Sequence, residues 1–148
     1  MRFGRFSAIL LLVATVTVVT VVSSGVVQRR IPSTGKVFVV SLGVDVFWDP
    51  ECSSRVSEVD WGTLEPGDSK NVSVYVKNTG NTALILSMNA TGWAPATAET
   101  YIAATWDAED EQLSEGGVLK VSIAISVSAS ISGITDFQFS IVITGGEA

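Results

Sequence analysis

Apolar and polar residues alternate with a period of two along most of the chain after residue 36. Val72, Val74 and Val76 share one face of an extended segment, with Ser73, Tyr75 and Lys77 on the other. Leu84, Leu86 and Met88 repeat the pattern a few residues later. Successive side chains of a strand point to opposite sides, so this period marks half-buried strands. Asn78-Thr79-Gly80-Asn81 lies between the two runs. Asn and Gly tolerate positive φ, and the tetrapeptide predicts a hairpin joining them. Glu65-Pro66-Gly67-Asp68 upstream is a second turn signal.

The same pattern predicts the other strands. Lys36–Leu42 and Val44–Trp48 form one run broken or bulged at Gly43, and Asp49-Pro50-Glu51 is a turn. Val56–Trp61 and Tyr101–Trp106 are short strands, and Trp93-Ala94-Pro95 marks a loop that crosses between layers. Two long strands close the chain. In one, Leu119, Val121, Ile123, Ile125 and Val127 alternate with smaller or polar residues; in the other, Phe137, Phe139, Ile141 and Ile143 do. No helical period follows residue 30. Seven or eight strands, each with one apolar face, predict an all-β fold: a two-sheet antiparallel sandwich over 37–145.

The first 30 residues differ. Phe6 to Val27 is 22 residues without a charge. As a helix it spans roughly 33 Å, enough to cross a bilayer. Arg2 and Arg5 precede it and Arg29 and Arg30 follow. It reads as a signal peptide, cleaved near Ser23-Ser24-Gly25, or as a signal-anchor whose partner is the lipid bilayer. The length of the run and the lack of an Ala-x-Ala site favour the anchor. Either reading places the rest of the chain outside the cytoplasm, tethered at the cell surface or secreted. The domain plan is then 1–30 hydrophobic helix, 31–36 linker (Ile31-Pro32-Ser33-Thr34-Gly35 carries the breakers) and 37–145 sandwich.

Charge narrows the function. The net charge is −6, yet residues 31–148 hold five basic against fifteen acidic residues, a net of −10. So acidic a domain lacks the basic face that displaces counterions from nucleic acid. The chain has no His, which removes the commonest general base and metal ligand. Cys52 is the one cysteine, so no intramolecular disulfide forms; it could cross-link two subunits or pack as a small apolar group. No catalytic, cofactor or metal residues are expected, and the chain reads as non-enzymatic.

The candidate residues are of other kinds. Asn71-Val72-Ser73 and Asn89-Ala90-Thr91 are glycosylation sequons, or chance in a Ser/Thr/Asn-rich chain. Asp107, Glu109, Asp110, Glu111 and Glu115 form an acidic run whose spacing is not that of a calcium loop, so a solvated loop is the expectation. Trp48, Trp61, Trp93 and Trp106 offer sugar-stacking platforms or core filling, with Trp93, beside Pro95, the one expected in the open.

The stretches Trp61 to Ser69 and Asn71 to Asn81 resemble immunoglobulin-like modules of prokaryotic surface proteins. The full layout is similar to small archaeal secreted or membrane-anchored proteins with one such domain. It has an apolar leader, Ile31-Pro32-Ser33-Thr34-Gly35, Val44-Asp45-Val46-Phe47-Trp48-Asp49, the Glu65-Pro66-Gly67 turn and Ser132-Gly133-Ile134-Thr135. The resemblance implies an immunoglobulin-like sandwich and a cell-surface address, and brings no catalytic residues. Two functions follow: a tethered surface protein with a structural or adhesive role, touching copies of itself or other envelope proteins, or a secreted filament subunit assembled by strand exchange. Val37–Leu42 is apolar enough to be a donor strand, or is simply the domain's own first strand. A pilin-type leader fits poorly, because Arg5 follows Gly4 directly.

Overall fold

The computed structural model describes residues 33–148. The expected N-terminal helix, Phe6 to Val27, lies outside them. The described chain is all-β. Its strands are β1 (Ser33–Leu42), β2 (Asp45–Phe47), β3 (Glu58–Leu64), β4 (Ser69–Lys77), β5 (Leu84–Ala94), β6 (Ile102–Trp106), β7 (Gln112–Leu113), β8 (Val118–Val127) and β9 (Asp136–Glu147). A five-residue 3₁₀ turn, Ala96–Thr100, precedes β6. One sheet has the order β3-β1-β9-β5-β7 and the other β2-β4-β8-β6. All odd-numbered strands lie in one sheet and all even-numbered strands in the other, so every connection crosses the sandwich.

That alternation corrects the central expectation. Asn78-Thr79-Gly80-Asn81 does not close a hairpin, because β4 and β5 belong to different sheets. Neither does any of the four adopt the positive φ of a tight primed turn. A period of two shows that a strand is half-buried; it does not choose the strand's neighbour. β4 pairs along its whole length with β8, from Ser69↔Ser126 to Lys77↔Val118. Val74 and Val76 meet Leu84 and Leu86 in the shared core, not as ladder partners.

Asn78 makes the crossing possible. It is fully buried. Its Nδ2 donates to Thr82 O at 2.7 Å and Leu113 O at 3.1 Å, and its Oδ1 accepts from Gly80 N at 2.9 Å. Its main-chain N–H donates to Gly117 O and its carbonyl accepts from Gly116 N. Its side chain thus ties the β4–β5 connection to β7, and its main chain ties it to the segment between β7 and β8. Buried polar groups are tolerated when bonded, and this one is bonded throughout.

Three further details differ from expectation. There are nine strands, the extra one being short β7 inside the acidic stretch. The sandwich is not wholly antiparallel: β1 and β9 run parallel from Thr34↔Asp136 to Leu42↔Thr144, with the entire domain as their connection. Ser33 to Lys36, expected as linker, open β1. Ser33 is buried and its Oγ donates to Ile134 O at 2.7 Å. Gly35 sits under Phe137, where a Cβ would lie 2.2 Å from the ring. Phe137 is followed by Phe139, with ring centroids 6.2 Å apart, and Trp93 stacks on Phe139 at 3.9 Å. The glycine that looks like a linker breaker is therefore the slot for a row of aromatics. The break at Gly43 is as expected (φ +77), and there the chain leaves β1 for β2 in the opposite sheet.

Two substitutions test these points. Asn78→Ala leaves the Leu113 carbonyl without its partner and is expected to lower stability by about 2 kcal/mol in urea unfolding. Gly35→Ala overpacks the Phe137 slot and is expected to lose a similar ~2 kcal/mol, with Phe137→Leu in the same chain recovering part of it.

Candidate functional site

In an antiparallel ladder, main-chain groups point alternately toward and away from a given neighbour. The bond from Asn78 N to Gly117 O and that from Val127 N to Asp68 O fix the phase on β4. Even-numbered residues bond to β8; Ser69, Asn71 and Ser73 turn their N–H and C=O groups away from it. On that side β2 covers only Tyr75 to Lys77. Among the described residues the stretch Ser69–Val74 has no strand beside it, so within them its outward main-chain groups are open. Exposed edges of this kind are templates for another strand.

Parts of three other exposed ladders are capped by side chains or by loop main chain. On β3, the Trp61 and Thr63 carbonyls accept from Lys70 Nζ at 3.1 and 3.0 Å. On β5 beyond β7, Leu86 exchanges main-chain bonds with Glu111 and Asp110, and Met88 N donates to Glu109 Oε2 at 3.1 Å. On β8 beyond β6, Ser122 N donates to Asp107 Oδ1 at 2.8 Å.

Between the open part of β4 and the edge of β3 runs a groove of about 610 Å³. Val59, Trp61 and Val72 give it apolar walls, Trp48 flanks it, and Asp60 and Lys70 bring one charge of each sign. Trp61 is buried, and its indole N–H has no hydrogen-bond partner among the described residues. The sequence could not mark this groove, because it depends on two strands from different sheets lying side by side.

The singled-out residues fall in separate places. Asn71 and Ser73 are exposed together on the outer face of the four-stranded sheet. Asn89 and Thr91 are exposed together on the outer face of the five-stranded sheet. Trp93 is not the open indole: it is half-buried on Phe139, whereas Trp48 is 39% exposed. Trp106 is half-buried and donates from Nε1 to Glu109 Oε2 at 2.7 Å. Two residues of the acidic run, Asp107 and Glu109, are spent on main-chain donors. Among the described residues no group of three His, Cys, Asp or Glu side chains is placed to hold a metal ion. No helix among them is long and apolar enough to cross a membrane. Cys52 is half-buried in the turn after β2, with φ +56 and its Sγ 3.7 Å from Pro50 O.

That turn is held by Asp49. Its carboxylate accepts from the Ser53 hydroxyl at 2.7 Å and from the Ser53 and Ser54 N–H groups. The Ser53 hydroxyl first, then the two N–H groups, hold its pKa below the ordinary value. A carboxyl with a depressed folded pKa stabilises the fold above its unfolded pKa, and that contribution disappears as pH falls through the folded value. The wild type should therefore melt above Asp49→Asn at pH 6, with the gap closing below about pH 4, where the unfolded carboxyl titrates. Thermal melts of both proteins across pH 2–7 measure the gap.

No protein family matches the chain, and no curated protein matches it. Among solved structures, one similar chain is the ASH / PapD-like domain of human CEP192 (PapD-like domain 7). It is 13% identical, covering 56% of this chain and 76% of that one, with a TM-score of 0.31.

Proposed function

We propose that this protein is a non-enzymatic surface module: an immunoglobulin-like sandwich held outside the cell by its apolar segment, with a structural or adhesive role. The observation that carries the reading is the juxtaposition of Phe6 to Val27, 22 uncharged residues, with an all-β domain of net charge −10. Both sequons support it, since each places Asn and hydroxyl residue on an exposed face. The chemistry on the described surface points the same way. It offers hydrogen-bonding edges and the groove between β3 and β4, and Asp60 in that groove accepts from Gly62 N.

The open Ser69–Val74 edge and its groove favour a second reading, a secreted filament subunit whose neighbour adds a strand. Val37–Leu42 is unsuited as the donor, because β1 lies between β3 and β9 in its own sheet. On this reading the donor comes from elsewhere, and Asn71 and Ser73 supply the accepting main chain.

Mass spectrometry of the mature N-terminus decides between them. The tether reading expects an intact Phe6–Val27 segment in the membrane fraction. A shortened chain in sheared extracellular material would overturn it in favour of the filament. Protein found soluble in the cytoplasm would overturn both.

A further inference from the structure

The outer face of the five-stranded sheet carries an apolar strip that nothing among the described residues covers. Phe38, Val40 and Leu42 project from β1 and are 39%, 44% and 53% exposed. Val142 on β9 is the ladder partner of Val40, and Asn89 on β5 is the ladder partner of Val142. Val40, Val142 and Asn89 therefore form one row across three adjacent strands, all on the outer face. Phe38, Ser140 and Thr91 form the next row. A continuous exposed apolar strip on a domain in water calls for a cover.

The cover can come from the row itself. Asn89-Ala90-Thr91 is a sequon, and in an extended strand Asn89 and Thr91 stand on the same exposed face. Val40 lies two strand spacings from Asn89, roughly 10 Å. That is within the span of the first two sugars of a glycan lying flat on the sheet. Sugar rings present apolar C–H faces as well as hydroxyls, so one such chain masks the valines and stays wet on its other side. The other sequon lies on a different surface: Asn71 is in row with Ala124 and Thr105, small side chains, and borders the groove that Trp48 flanks.

We propose that Asn89 carries an N-linked glycan whose first sugars lie across Val142 and Val40, making the apolar strip a glycan bed. This rests on the reading that the domain is exported, because the modification is made on exported chains.

The test uses the full-length protein from its native source, with peptide mass spectrometry and binding of 8-anilinonaphthalene-1-sulfonate. A glycan mass on the Asn89 peptide is expected. Asn89→Gln is expected to raise dye fluorescence several-fold and to promote self-association. Val40→Ser with Leu42→Ser in the same chain is expected to reverse both effects, and Asn71→Gln to produce neither. An exported protein with a bare Asn89 overturns the inference and leaves the export reading standing. A cytoplasmic protein with both sequons bare overturns both. Dye binding that does not change when the Asn89 glycan is removed overturns the bed, even if the sugar is present.

Discussion

Every connection in this domain passes from one sheet to the other, and the rest of the structure follows from that constraint. Sequential strands never pair with each other. Each strand finds its ladder partner far along the chain, as β1 does with β9 and β4 with β8. Local turn chemistry cannot hold such a topology, since a crossing spans the roughly 10 Å between packed sheets. What holds it is the continuous apolar layer, from Val37 through Val74 and Val121 to Ile143, together with crossings whose polar groups are individually satisfied. Asn78 is the clearest case. Its side chain joins a connection on one side of the layer to a segment 35 residues away. Pairings this distant must close large loops before they are rewarded, so folding is expected to be slow for the domain's size.

The same constraint explains what could be read from the sequence. The strands themselves were legible, because a half-buried strand writes its period into every second residue whichever neighbour it has. Gly43 was legible as a break because it interrupts an apolar run. Sheet membership was not. Asn78-Thr79-Gly80-Asn81 has the composition of a hairpin turn, but the distinguishing fact is the distant Leu113 carbonyl, which no local pattern records. Gly35 misleads for a related reason. Beside Pro32 and Ser33 it looks like linker, yet it lacks a side chain because Phe137, a hundred residues on, occupies that volume. Trp93 has the neighbours of an exposed loop residue, and its stack on Phe139 is again a long-range contact.

The acidic stretch shows a use of carboxylates that composition does not reveal. Five carboxylates in nine residues suggest a cation site by charge alone. Asp107 and Glu109 instead stand in for the carbonyls of a missing strand, accepting from Ser122 N and Met88 N where β6 and β7 run out. A carboxylate accepts such bonds strongly, because charge shortens and strengthens them. It also presents a negative tip to any strand approaching that edge. Lys70 treats β3 in the complementary way, with three donors laid on two open carbonyls. Ladder ends are thus closed by ions of the matching sign: anions where N–H groups face out, a cation where carbonyls do.

The edge at Asn71 and Ser73 carries no such ion among the described residues. Two copies of an acidic domain repel each other, but the Debye length is about 8 Å at physiological salt, so repulsion acts only near contact. Each main-chain hydrogen bond gained on strand addition contributes a net of about 1 kcal/mol. Three or four such bonds at most match the lower bound of about 4 kcal/mol lost in translational and rotational freedom on association, and leave no surplus. Backbone pairing at this edge therefore cannot hold a partner alone. Side chains filling the groove along Val59, Trp61 and Val72 must supply the remainder, at roughly 25 cal/mol for each Å² of apolar surface buried. The edge is safe against chance contacts for this reason, and selective for a strand with apolar side chains at every second position.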